Sequence, residues 1–126
     1  MLNLDTHVVI YMFSGELTDR EQALLATEPL GISSIVLWEI ARLRELGRIS
    51  AGLEHAGLCR LLSKLHVWEI DQDVCRAMVR DLDFESDPAD ELIAATSIVH
   101  RAPLVTRDRK LLGSRVVPLA EKSGRP

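Results

Sequence analysis

Leu2-Asn3-Leu4-Asp5-Thr6-His7-Val8-Val9-Ile10 is the stretch that decides the fold. Its first residues alternate as a strand does, stop at Asp5, and run into His7 to Phe13, an apolar segment that reads as the start of a buried helix. A strand that ends on an acid and passes straight into a helix opens a β–α unit, and the same alternation continues outward. Ser14-Gly15 breaks the first helix, Asp19 to Glu28 reads as a second, and Pro29-Leu30-Gly31 connects it to a short strand, Ile32-Ser33-Ser34-Ile35. That strand leads into a helix from Val36 to Leu46, closed by Gly47. A further helix is expected over Leu53 to Leu65, a strand over His66 to Ile70, and, after Asp71 as N-cap, a helix over Val74 to Leu82. Asp87-Pro88 opens a helix that runs to about Arg101. Leu104-Val105-Thr106 reads as a strand, Arg109 to Leu112 as a short helix, Val116-Val117 as a last strand, and Glu121 to Pro126 as a frayed tail. Such alternation predicts an α/β fold, a parallel sheet covered by helices.

The chain has 126 residues, enough for one ordinary core, and with no repeat or long linker it reads as a single doubly wound domain over 1–126. Its 47% hydrophobic and 27% charged residues are those of a soluble globular protein. The longest apolar run, Val8 to Phe13, is too short to cross a bilayer, and no basic segment precedes an apolar one at the N-terminus, so neither membrane nor export is expected. Cys59 and Cys75 lie in helix-like apolar patterns without ligand spacing, and they read as reduced core residues of a cytoplasmic protein.

Four acids, Asp5, Glu39, Asp90 and Asp108, are far apart in sequence but fall at strand ends or helix first turns. In doubly wound sheets the ligand crevice lies at the carboxyl ends of the strands, where all four can face one edge. Two carboxylates roughly 4 Å apart repel by about 4 kcal/mol at an effective dielectric of about 20, so a cluster must protonate or bind a cation. Hard oxygen ligands suit Mg²⁺ or Mn²⁺. Each acid also has a structural role open to it. Asp5 and Asp108 can cap the helices that follow, Asp87 fits an N-cap ahead of Pro88, and Asp90 can be favoured by the helix dipole alone. Glu39 sits at the edge of the stripe formed by Val36, Ile40 and Leu43, where it needs a metal, a hydrogen bond or a partner such as Arg42 at i+3.

A net charge of −4 argues against an anionic partner, but two divalent ions at the site would offset it. Twelve arginines against three lysines favour bidentate phosphate recognition. Arg107, Arg109 and Lys110 flank Asp108, and Arg42 and Arg48 follow Glu39, as a phosphate backbone or plain solvation would require. Thr106 can hydrogen-bond a carboxylate or pack in its strand. His7, His55, His66 and His100 form no pair at ligand spacing, and no Gly-rich phosphate loop, nucleophile elbow or CxxC occurs. Trp38 and Trp68 read as core residues in preference to base-stacking platforms.

Leu4-Asp5-Thr6-His7-Val8-Val9-Ile10, Ile32 to Ala41 with its Leu37-Trp38-Glu39-Ile40-Ala41, Asp87-Pro88-Ala89-Asp90 before Leu92-Ile93-Ala94-Ala95-Thr96, and Leu104-Val105-Thr106-Arg107-Asp108 together resemble PIN-domain ribonucleases, in the same order. The resemblance is nearest to the VapC toxins of type II toxin–antitoxin pairs. It implies a three-layer α/β/α sandwich with a short parallel central sheet. It also implies a Mg²⁺- or Mn²⁺-dependent endoribonuclease acting on tRNA or ribosomal RNA, inhibited by a cognate antitoxin and forming a homodimer through the helices between Asp19 and Leu65. By position, Asp5, Glu39, Asp90 and Asp108 would be the metal-site and catalytic acids, Asp87 an auxiliary acid or cap, and Thr106 a supporting hydroxyl. Val36 stands where relatives often carry Ser or Thr, and Glu91 where Arg is common.

Two other classes compete. A phosphate-transfer domain also places Asp after its first strand, but the haloacid dehalogenase type expects a second Asp where His7 stands. A degenerate PIN fold acting only as a binding module is the alternative that Val36 and Glu91 encourage.

Overall fold

The computed structural model describes residues 1–120, so the expected fraying of Glu121 to Pro126 lies outside the described residues. In chain order the elements are β1 (Leu2–Leu4), α1 (Thr6–Ser14), α2 (Asp19–Leu25), β2 (Leu30–Ser33), α3 (Ile35–Glu45), α4 (Ala56–Ser63), β3 (His66–Trp68), α5 (Gln72–Arg80), α6 (Pro88–His100), β4 (Leu104–Val105) and α7 (Arg109–Leu112). The four strands form one parallel sheet in the order β3-β2-β1-β4, flanked by the helices as an α/β/α sandwich. Leu2 pairs with Leu30 on one side of β1, and Asn3 pairs with Leu104 on the other. Successive strands step outward from β1 to β3, and the chain then returns to place β4 on the opposite side of β1. The order therefore reverses beside β1, and the crevice at that reversal opens just past Leu4 and Val105.

Leu2, Leu4, Val8, Val9, Ile32, Val36, Ile40, Ile93, Leu104 and Leu111 are nearly or completely buried. Each contributes roughly 1.5–3 kcal/mol by leaving water. Asn3, buried in the central strand, fastens α6 over the sheet by donating from Nδ2 to the Ile93 carbonyl at 3.0 Å and to Ser97 Oγ at 2.9 Å. Small residues let α6 fit closely: Ala94 joins the main core, and Ala95 meets Val74 and Ala77 of α5. Among the described residues, no helix is long and apolar enough to cross a membrane.

Several expectations are corrected. Val116 and Val117 form no strand, because both backbone N–H groups donate to Ser114 Oγ in a turn; the sheet contact comes later, where Leu119 bridges Leu104. Ile35 is the first residue of α3, since Ser34 already has helical backbone angles, φ −58° and ψ −22°. The helix expected from Leu53 starts at Ala56, because the His55 ring nitrogen accepts from Gly57 N and Leu58 N and caps it there. Cys59 and Cys75 are exposed, so neither is a core residue. Trp38 is also exposed, at 58%, whereas Trp68 is partly covered and stacks on His100 with centroids 5.4 Å apart. Gly31 makes room for that stack, since a Cβ there would stand 2.7 Å from the Trp68 ring.

Candidate active site

Asp5 leaves the end of β1 into the crevice as the N-cap of α1, and it is buried. Its Oδ1 accepts from Thr6 N at 2.8 Å and its Oδ2 from the Thr106 hydroxyl at 2.6 Å. The same Thr106 Oγ1 accepts from Asp108 N at 3.0 Å, so one hydroxyl just past β4 joins the two strand-end acids. Asp108 caps α7 by accepting on Oδ1 from Lys110 N and Leu111 N, which leaves Oδ2 for other partners. Capping and facing the crevice are compatible because a carboxylate has two oxygens.

From α3, half-buried Glu39 accepts a hydrogen bond on Oε1 from the Thr6 hydroxyl. Arg42 does not satisfy it, pairing instead with Glu45 at 2.7 Å. From α6, Asp90 stands at the third helical position, where its backbone N–H donates to Asp87 Oδ1 at 2.9 Å and its Oδ2 accepts from Ser86 Oγ at 2.8 Å. Asp87 is the N-cap with Pro88 at the first position. Thr6 and Ser86 are the partners that sequence reading missed. Thr6 was visible only as the neighbour of Asp5, and Ser86 only as the residue ahead of the Asp87-Pro88 cap.

Electrostatics show that these acids share one field. Burial is the largest cause raising the pKa of Asp5, against which the Thr106 hydroxyl works, with Asp108 adding repulsion. Glu39 is likewise raised by burial and by Asp5 and Asp87, opposed by the Thr6 hydroxyl and His7. Asp90 is pushed up to about 6, first by burial and then by Asp87, Asp5 and Asp108. Five acids from four places in the chain thus act on one another.

Each acid is anchored to a hydrogen-bond donor, and among the described residues no three His, Cys, Asp or Glu side chains converge closely enough to hold one metal ion. The donor set nonetheless fits a hard divalent cation. It is all oxygen, Asp108 Oδ2 and Asp90 Oδ1 are not spent on the hydrogen bonds above, and the mutual repulsion is what a cation would relieve.

The two departures noted in the sequence lie outside this ring. Val36 is completely buried in the core, and the Glu91 carboxylate accepts from Ser86 N at 3.1 Å, steadying the loop whose hydroxyl serves Asp90. Arg107 is committed to partners on the α1–α2 side. It makes two hydrogen bonds to the Glu21 carboxylate, at 2.8 and 2.7 Å, and lies 4.0 Å over the Tyr11 ring. Two cavities open beside the acids. One of about 740 Å³ is lined by His7, Tyr11 and Arg48 and the other of about 460 Å³ by Trp38 and Pro88, with Glu39 and Asp87 in the walls of both.

Residues 3–113 match the family model for the PIN domain. Ribonuclease VapC22 of Mycobacterium tuberculosis (strain ATCC 25618 / H37Rv) is 33% identical over 119 residues, covering 89% of this chain and 90% of that protein. A toxin–antitoxin complex from Klebsiella pneumoniae contains a chain of similar structure, with a TM-score of 0.68 and 26% identity over 97% of this chain and 99% of that one. The structure of VapBC2 from Rickettsia felis, bound to a DNA fragment from its promoter, shares the fold with a TM-score of 0.69 and 22% identity over 94% of this chain and 96% of that one. A parallel sheet in this order, acids gathered at its reversal, and a match spanning most of the sequence lead to one conclusion: the chain belongs to the PIN-domain family, among its VapC ribonucleases.

Proposed function

We propose that this protein is a divalent-metal-dependent endoribonuclease toxin that hydrolyses phosphodiester bonds of structured RNA, tRNA or ribosomal RNA, and is held in check by a cognate antitoxin. The observation that carries the reading is the coupled set of acids at the sheet reversal, with burial and mutual repulsion acting together on Asp5, Glu39 and Asp90. Asp5, Glu39, Asp90 and Asp108 would hold Mg²⁺ or Mn²⁺, which when bound supplies Lewis-acid activation of water and stabilises charge on the phosphate.

The chain's own groups do the positioning. Thr106 orients Asp5 and the Asp108 backbone together, Thr6 holds Glu39 toward α1, and Ser86 fixes one oxygen of Asp90. Ser86 occupies Oδ2 of Asp90, so Oδ1 is the oxygen this carboxylate has left for the cation. Asp87 holds the first turn of α6 in place.

The complexes of the Klebsiella and Rickettsia relatives support an antitoxin partner here. Exposed Leu46 and Leu53 support a homodimer through the region between Asp19 and Leu65. An RNA substrate calls for a cytoplasmic location. Chain freed of antitoxin is expected to cleave RNA with Mg²⁺ or Mn²⁺ and to stop in EDTA. Asp5→Asn and Asp90→Asn should each remove most of that cleavage, and equal cleavage by wild type and both variants would defeat the assignment.

A further inference from the structure

Resting on the ribonuclease reading, we infer that the recess under Trp38 is a nucleobase subsite, in which a base beside the cleaved phosphate stacks on the indole ring. Trp38 immediately precedes Glu39, and an exposed indole is an unusual way to end a turn that also carries a site acid. The recess, about 460 Å³, is walled by Ile35, Trp38, Pro88 and Ala89, with Glu39 and Asp87 on its remaining sides. It therefore meets the acids at Glu39 and Asp87 and is apolar away from them.

Phosphate is a poor occupant, because carboxylates without a cation repel it. A base is neutral, has a π-face for the indole, and carries N–H groups along its edge. Asp87 spends Oδ1 on Asp90 N at 2.9 Å, and its Oδ2 can accept from such an edge. Stacking on one side and a carboxylate acceptor on another are the two contacts that single-strand recognition uses. A second protein copy is the weaker fit. A second copy laid over it would close this side of Glu39 and Asp87 to RNA and leave only the larger cavity open.

The test uses the Asp90→Asn chain, which retains the recess but should not cleave, and a short RNA spanning a site that the wild-type chain cuts. Affinity is measured for this chain with Trp38, Trp38→Phe and Trp38→Ala, against the RNA and against copies carrying one abasic nucleotide at each position near the cut. Loss of one stacked base is expected to weaken binding roughly 5- to 150-fold in Trp38→Ala and much less in Trp38→Phe. At one position the abasic RNA should bind the Trp38 chain as weakly as intact RNA binds Trp38→Ala, and the two losses should not add. Unchanged affinity in Trp38→Ala, or additive losses at every position, overturns the inference while leaving the nuclease reading intact. A dimer that becomes a monomer in Trp38→Ala by light scattering, without abasic coupling, also overturns it and makes the face a protein contact. Wild-type chain that cleaves no RNA, with an Asp90→Asn chain that binds none, marks instead the failure of the function itself.

Discussion

Replacing Asp90 by Asn should make the protein more stable at neutral pH in the absence of metal, while abolishing cleavage. A carboxyl whose pKa rises from 3.8 to about 6 on folding favours the protonated folded state by about 3 kcal/mol, at roughly 1.4 kcal/mol per pH unit. Water reaching this half-buried group screens its neighbours and reduces the figure to about 1.5 kcal/mol. The sign follows from where the proton binds. Below pH 3.8 both folded and unfolded chains hold it, so Asp90 costs nothing. Between 3.8 and about 6 only the folded chain keeps it, and stability attributable to this group falls as pH rises, reaching its full loss near pH 7. Asn carries no charge, accepts from Ser86 Oγ as Asp90 does, and keeps the backbone bond to Asp87. In EDTA the variant should therefore melt about 5 °C above wild type at pH 7.5, and the gap should close toward pH 4. Adding Mn²⁺ should raise wild type by more than the variant, since a ligand at about 100 times its Kd contributes about 2.7 kcal/mol. A variant that melts at or below wild type at pH 7.5 in EDTA would refute the idea that burial, with repulsion from Asp87, Asp5 and Asp108 added to it, holds the Asp90 carboxyl up.

Other perturbations probe the supports. Thr106→Val removes the hydroxyl shared by Asp5 and Asp108 N, and should lower metal affinity or cleavage by about 10- to 100-fold while changing the melting temperature little, as calorimetric titration with Mn²⁺ can read. Gly31→Ala puts a methyl 2.7 Å from the Trp68 ring, and should cost about 1–3 kcal/mol in urea unfolding with altered tryptophan emission as the His100 stack shifts. Glu21 is held down to about 2, chiefly by its hydrogen bonds from Arg107, so that contact stabilises above pH 4.5 and is lost as pH falls toward 2. Arg107→Ala should thus cost less than about 1 kcal/mol at pH 7 and nothing at pH 2, measured by denaturant melts, because its partly exposed guanidinium is screened.

Most of the architecture could be read from short strings whose local physics agrees with the global fold. Leu2-Asn3-Leu4 is legible as a strand because it runs straight into a helix capped by Asp5, and Asp87-Pro88 starts α6 as that dipeptide dictates. Failures came where a side chain intercepted the backbone. Ser114 takes the N–H groups that Val116 and Val117 would have given to a sheet, and His55 starts α4 later than its apolar pattern suggests. Periodicity also misjudged Cys59, Cys75 and Trp38, since an apolar type on a helix says little about which side has a neighbour. At the site, the strand-end and first-turn positions of the acids were visible, but the link from Thr6 to Glu39 spans 33 positions and no local pattern encodes it. Arg42 was drawn forward to Glu45, a pairing equally available at i+3.

The bond from Thr106 to Asp5 joins groups 101 positions apart, and Asn3 finds its second strand partner only at Leu104. A ribosome must therefore release nearly the whole described chain before the first acid meets the last. Until then the β1 edge that β4 covers is unpaired, and Asp5 lacks its Thr106 partner. Shortening the chain from its far end should disarm it before it unfolds the helices made earlier.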